Sequence, residues 1–190
     1  MMKAPEKLGS EYYRGFLTRQ GQAFYDRINT QLLRGDYSGK TTFSLSNPET
    51  SASDGFAAYK AIRDDRPEFF FLGYQSEFTR RDRTGTLEYP ILYTPDIINR
   101  IQQQMRKSIY RIVRGTAGLS MLEREVLVYE RIAKKLAYTN NGDVRDHSIV
   151  GPILQSEGVC EGQNALLLLC FRRICTGGIR ISLQRLVVFI

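Results

Sequence analysis

Tryptophan is absent from this sequence, and histidine occurs once, at His147. A zinc site needs three or four nitrogen or sulfur ligands at close spacing. One histidine and three cysteines, Cys160, Cys170 and Cys175, with no Cys-x-x-Cys pair, do not supply such a set. No metal and no cofactor is therefore expected, and the cysteines read as reduced thiols. Long hydrophobic runs are missing too. The longest, Ala165 to Phe171, is far short of the roughly 20 residues that cross a bilayer. The opening Met1-Met2-Lys3-Ala4-Pro5-Glu6 has no apolar core of a signal peptide. These absences predict a cytoplasmic protein without a membrane span.

Acidic residues are fewer than basic ones, 20 against 27, for a formal net charge of +7. The excess is spread out, with small clusters at Arg80-Arg81-Asp82-Arg83 and from Arg106-Lys107 to Arg114. Neither is a long run with interleaved aromatics, so nucleic-acid binding is not expected. What the chain does have is apolar material for a core: 11 Tyr, 10 Phe and 42% hydrophobic residues in a length suited to one domain or a domain with an extension.

The first seventeen residues read as a flexible start. Thr18 to Arg34 reads as a helix capped by Thr18, with Phe24, Ile28 and Leu32 on one face and Gly35 as its stop. Residues 41–45 fit a short strand, and Ser46-Asn47-Pro48 and the Ser51–Ser53 stretch fit loops. Asp54 is a candidate cap for a second helix that ends before Pro67. Glu68 to Thr79 and Leu87 to Tyr93 read as a hairpin around Arg81–Gly85, with Pro90 placing the second strand at an edge. Thr94-Pro95 opens a long helix with an apolar stripe of Ile98, Ile101, Met105, Ile109 and Ile112. Its Arg and Lys residues fall off that stripe, as a solvated basic face or a partner surface.

Gly115-Thr116-Ala117-Gly118 is the expected domain boundary. After it, Ser120-Met121-Leu122-Glu123 has the pattern of a capping box. A helix follows with Val126, Tyr129, Ile132, Ala133 and Leu136 inward and a Glu130–Lys134 pair. Asn140 to Asp143 ends it. Gly177-Gly178 breaks the last helix, and Ile179 to Ile190 is β-prone.

The most informative stretch is Gly158-Val159-Cys160-Glu161-Gly162-Gln163-Asn164, running into the apolar Ala165–Phe171. A glycine turn delivers Cys160 to the expected first turn of a buried helix. The N–H groups there lack intrahelical acceptors and the dipole is positive, which favours a thiolate. Gly158 and Gly162 leave room for a close backbone approach. Cys170, ten residues on, reads as core. His147 sits in a loop, with Asp146 adjacent.

Together with His147–Leu154 and with Glu130–Tyr138, this stretch resembles the nucleophile segment of bacterial transglutaminase-like cysteine peptidases, over roughly 120–174. The resemblance implies an α+β chain: residues 18–114 as a helical and β-hairpin extension, and 119–190 as the first part of a transglutaminase-like, papain-like core. It implies Cys160 as the catalytic nucleophile and a peptide or protein substrate. In that family the catalytic histidine and aspartate lie on strands after the cysteine helix. No histidine or aspartate follows Cys160 here. The chain is accordingly expected to be an incomplete, inactive copy of such a hydrolase or acyltransferase. Gln155 is a candidate helper for the oxyanion. The alternative expectation is a non-catalytic interaction module that uses the front half and the basic helix at 95–114.

Overall fold

The computed structural model describes residues 11–139, 142–143 and 145–175. The first ten residues of the expected flexible start, Asn140-Asn141, the Gly177-Gly178 break and the β-prone Ile179–Ile190 lie outside the described residues. The chain is a mixed helix-and-sheet, α+β structure. Its contacts group into two units that part between Ile98 and Asn99, within a helix and ahead of the Gly115–Gly118 turn chosen from the sequence.

The first unit holds helices α1 (Arg19–Leu33) and α2 (Ser51–Asp65) and strands β1 (Lys40–Ser44), β2 (Glu77–Arg81) and β3 (Thr84–Glu88). Thr18 caps α1, its hydroxyl accepting from the Gly21 N–H at 3.0 Å. Phe24, Ile28 and Leu32 are all buried, and Gly35 takes a positive φ of 78° just past the helix end. The sheet is antiparallel in the order β1-β3-β2. Phe24 of α1 packs against Phe43 of β1 with ring centres 4.2 Å apart. Gly85 of β3 is required by contact: a Cβ there would lie 2.4 Å from the Phe78 ring.

Four expectations change in this unit. Strand β3 is the central strand, because Pro90 falls beyond its end at Glu88 and removes no ladder hydrogen bond. The aromatic run at 68–72 is a 3₁₀ turn over Pro67–Phe69 and a buried bend, so β2 is only five residues long. Helix α2 starts at Ser51, and Asp54 lies inside its first turn rather than capping it. The buried Asp54 carboxylate accepts from Thr18 Oγ1 (2.6 Å), Gln20 Nε2 (2.8 Å) and Thr50 Oγ1 (3.0 Å). Residues 11–17 are tied down: Asp65 accepts from the N–H groups of Tyr13 and Arg14 at the opening of a 3₁₀ turn over Tyr13–Phe16.

Helix α3 (Pro95–Val113) begins in the first unit and continues in the second. Ile98, Ile101, Met105 and Ile112 are buried as expected, whereas Ile109 is only half-buried. The second unit goes on with α4 (Met121–Lys135), β4 (Ala137–Tyr138), α5 (Val150–Leu154), β5 (Glu157–Gly158) and α6 (Cys160–Cys175). Both halves of the capping box form at Ser120 and Glu123. Helix α4 faces inward through Val128 and Ile132, while Val126 and Tyr129 are half exposed. Ile132 of the expected ridge is buried, and packing against α6 brings Val128 in beside it in place of Val126, Tyr129 and the exposed Ala133. Strands β4 and β5 form a two-residue parallel pair. Among the described residues no helix is long and apolar enough to cross a membrane.

Candidate functional site around Cys160

Cys160 is exposed and is the first residue of α6. The remainder of that helix is largely buried, with Leu166, Leu167, Leu169, Cys170 and Phe171 in the interior. An apolar body therefore anchors a polar, open first turn. A helix start leaves its first backbone N–H groups without intrahelical acceptors, and of those here the Val159 N–H is taken by the Asp146 carbonyl. Glu161 adds an acid in the first turn, where the dipole favours negative charge.

The turn at 145–148 is seated on this helix start by backbone contacts that only glycine permits. A Cβ on Gly162 would sit 2.6 Å from both the Asp146 and Ser148 carbonyl oxygens. On Gly151 it would sit 2.7 Å from the Glu157 carbonyl and 2.9 Å from that of Arg145. The Val159 N–H donates to the Asp146 carbonyl at 3.1 Å, and the Gly151 N–H to that of Arg145, also at 3.1 Å. Gln163 closes the other side. Its Nε2 donates to the Gly158 carbonyl at 2.9 Å and to the Ala137 carbonyl of β4 at 3.4 Å. Residues 137, 145–148, 158 and 162–163 thus form one backbone-built frame about the residue next to Cys160.

His147 is brought to this frame. Its Nδ1 lies 3.2 Å from Glu161 Oε2, and Glu161 is the chain neighbour of Cys160. The imidazole is paired with the carboxylate of α6, whereas the adjacent Asp146 turns inward and is buried. Behind the turn, the Asp143 carboxylate accepts from the Arg145 N–H at 2.8 Å and pairs with the Arg145 guanidinium. Those bonds hold Asp143 down to about 2. Gln155 is exposed at the C-terminal cap of α5.

The three thiols differ sharply. Cys170 is fully buried, and burial pushes it up to about 12. Cys175 is half-buried and pushed up to about 11, by burial first and then by the negative charge of Glu125. Cys160 alone is exposed. A thiolate at neutral pH is disfavoured at Cys170 and Cys175 by their surroundings.

Sequence reasoning missed Glu161 as the partner of His147, and Gln163 as the brace between β4 and β5. The Gly158/Gly162 spacing was the available signal for the frame. The Glu161 contact depends on how the 145–148 turn folds back, and no local pattern encodes that. Among the described residues no group of three or more His, Cys, Asp or Glu could hold a metal ion. No family model matches the chain, and no curated protein matches it.

Proposed function

We propose that residues 119–175 carry the nucleophile-bearing part of a transglutaminase-like cysteine hydrolase or acyltransferase core, with Cys160 as the nucleophile. The observation that carries this reading is the combination at Cys160: an exposed thiol on the opening residue of a 16-residue helix whose body is buried. In the reaction, the Cys160 thiolate attacks the carbonyl carbon of a glutamine side-chain amide or a peptide. The C–N bond breaks, ammonia or an amine leaves with an added proton, and a thioester remains. Water or an amine then attacks the thioester, and the thiol is restored. Donors of the first turn of α6 suit the oxyanion of each tetrahedral intermediate. The short parallel pair β4/β5 and the glycine-lined turn support the family reading, because they bring backbone close to the helix start.

General acid–base help is worth about 10²–10⁴ in rate. The histidine and aspartate that the resemblance puts after the helix have no counterparts within residues 161–190. His147 engages Glu161. The 190-residue chain is therefore proposed to be negligibly active on amides. The test measures ammonia release from a glutamine-containing peptide by the chain and by Cys160→Ala and His147→Ala variants. Background rates in all three are expected. Robust release lost in both variants would make His147 the base and overturn the inactive reading; robust release that survives Cys160→Ala would remove Cys160 as nucleophile.

A further inference from the structure

Helix α3 carries a second feature that the cysteine chemistry does not use. No acidic residue occurs between Asp96 and Glu123, while Arg100, Arg106, Lys107, Arg111 and Arg114 fall in that interval. All five are exposed. At 100° per residue, Arg100, Lys107, Arg111 and Arg114 share a ridge roughly 60° wide and about 21 Å long. Gln103 and Gln104, also exposed, flank this ridge on either side. Every one of these residues belongs to the second unit. The opposite face of α3, Ile98, Ile101, Met105 and Ile112, is buried. The ridge is also braced at its end: Arg131 donates to the Ile112 and Arg114 carbonyls at 2.6 and 2.7 Å, capping the helix C-terminus.

We propose that this ridge is a docking surface for the phosphate backbone of double-stranded nucleic acid. Three observations select that partner among polyanions. A membrane surface would be met by an amphipathic helix that inserts its apolar face; here that face is committed to the protein interior. An acidic protein would be expected to meet an apolar patch inside a polar rim, and the ridge itself has no apolar residue. Nucleic-acid interfaces are polar, strongly positive and rich in hydrogen-bond donors, as are four cations with two glutamines flanking them. A helix of this width enters or lies along a major groove about 12 Å wide. Spread of charge along the sequence spoke against nucleic acid; the helix gathers four of those charges on one line, with the exposed Tyr110 beside them.

The test uses the full chain and a fluorescein-labelled DNA duplex of about 20 base pairs, by anisotropy. Four phosphate contacts would release counterions with a slope of log K against log salt of about −3 to −4. Binding with that slope is expected at about 50 mM salt. Charge reversal on the ridge, K107E/R111E, is expected to weaken it at least tenfold with the circular dichroism spectrum unchanged. The matched reversal of the hairpin tip, R81E/R83E, is expected to change it less than about twofold. Polyglutamate and vesicles with about 30% phosphatidylserine are expected to bind at least tenfold more weakly than the duplex. A flat salt dependence, equal loss in the two double variants, or preference for either competitor would overturn the proposal.

Discussion

The two units bury polarity in different ways. In residues 11–98 a buried side-chain network joins α1 to α2 through Gln20, Thr18 and Asp54. Gln20 alone accepts from Ser46 and Asn47 and donates to Asp54 and to the Asn47 carbonyl. In residues 99–175 the decisive polar contacts around Cys160 are backbone carbonyls and N–H groups approached across glycines. A side-chain network tolerates loss of one member by local rearrangement or water. A backbone frame has no such slack, since its atoms cannot move without moving an element. The contrast shows where precision is held: the second unit places its open thiol by main-chain geometry, and the first unit uses aromatic packing and a carboxylate staple to hold two helices on a sheet.

The largest expected effect breaks the backbone frame. Gly162→Ala would place a methyl 2.6 Å from two carbonyl oxygens. Overpacking of this kind costs about 1–3 kcal/mol, and the upper end is expected because the neighbours are backbone atoms. Hydrogen exchange should rise in α5 and the first turn of α6 and remain unchanged in β1–β3. Equal protection in the Gly162→Ala variant and the parent chain would show that the frame has slack.

Asp54→Ala is the matching cut in the first unit. It leaves the Thr18, Gln20 and Thr50 donors without their shared acceptor, at a cost of about 1–3 kcal/mol. Faster exchange is expected in α1 and the start of α2, with α6 unaffected. An unchanged denaturation midpoint would mean that water replaces the carboxylate.

Much of this architecture was legible beforehand, and the failures have common causes. Thr18 with Gly35, and Ser120 with Glu123, marked helix ends because caps are local chemistry. The buried stripe of α3 was readable because no competing apolar ridge exists on it. On α4 two ridges compete: Ile132 was assigned inward and is buried, but Tyr129 and Val126 were assigned inward with it although tertiary packing put Val128 there. Asp54 looked like a cap because a cap and a buried staple have the same residue type before the same apolar run. The position of Cys160 at a helix start followed from Gly158 and the leucine run. Its neighbourhood did not, because the contact between His147 and Glu161 is 14 residues apart in sequence and depends on how the chain folds back through α5 and β5.

A smaller effect concerns acid. The folded-state value of Asp143 is lowered to about 2, below the ordinary carboxylate value, by its bonds from Arg145. A lowered carboxylate contributes stability that is present above its unfolded value of about 4 and lost as pH falls through the folded one. The amides of Asp143 and of residues 145–148 are therefore expected to keep their chemical shifts at about pH 5 and to titrate with a midpoint near pH 2. A titration of those amides centred near pH 4 would show that the Asp143–Arg145 pairing does not hold in solution.

The proposed role of Cys160, a nucleophile without acid–base help, is tested most directly with p-nitrophenyl acetate. Its leaving group departs without needing a proton, so acylation requires only an accessible thiolate. Intact mass and peptide mapping after brief exposure at neutral pH should show one acetyl group, on Cys160, persisting as a thioester without turnover. Acetylation of Cys175 or of lysines in preference to Cys160 would contradict the account.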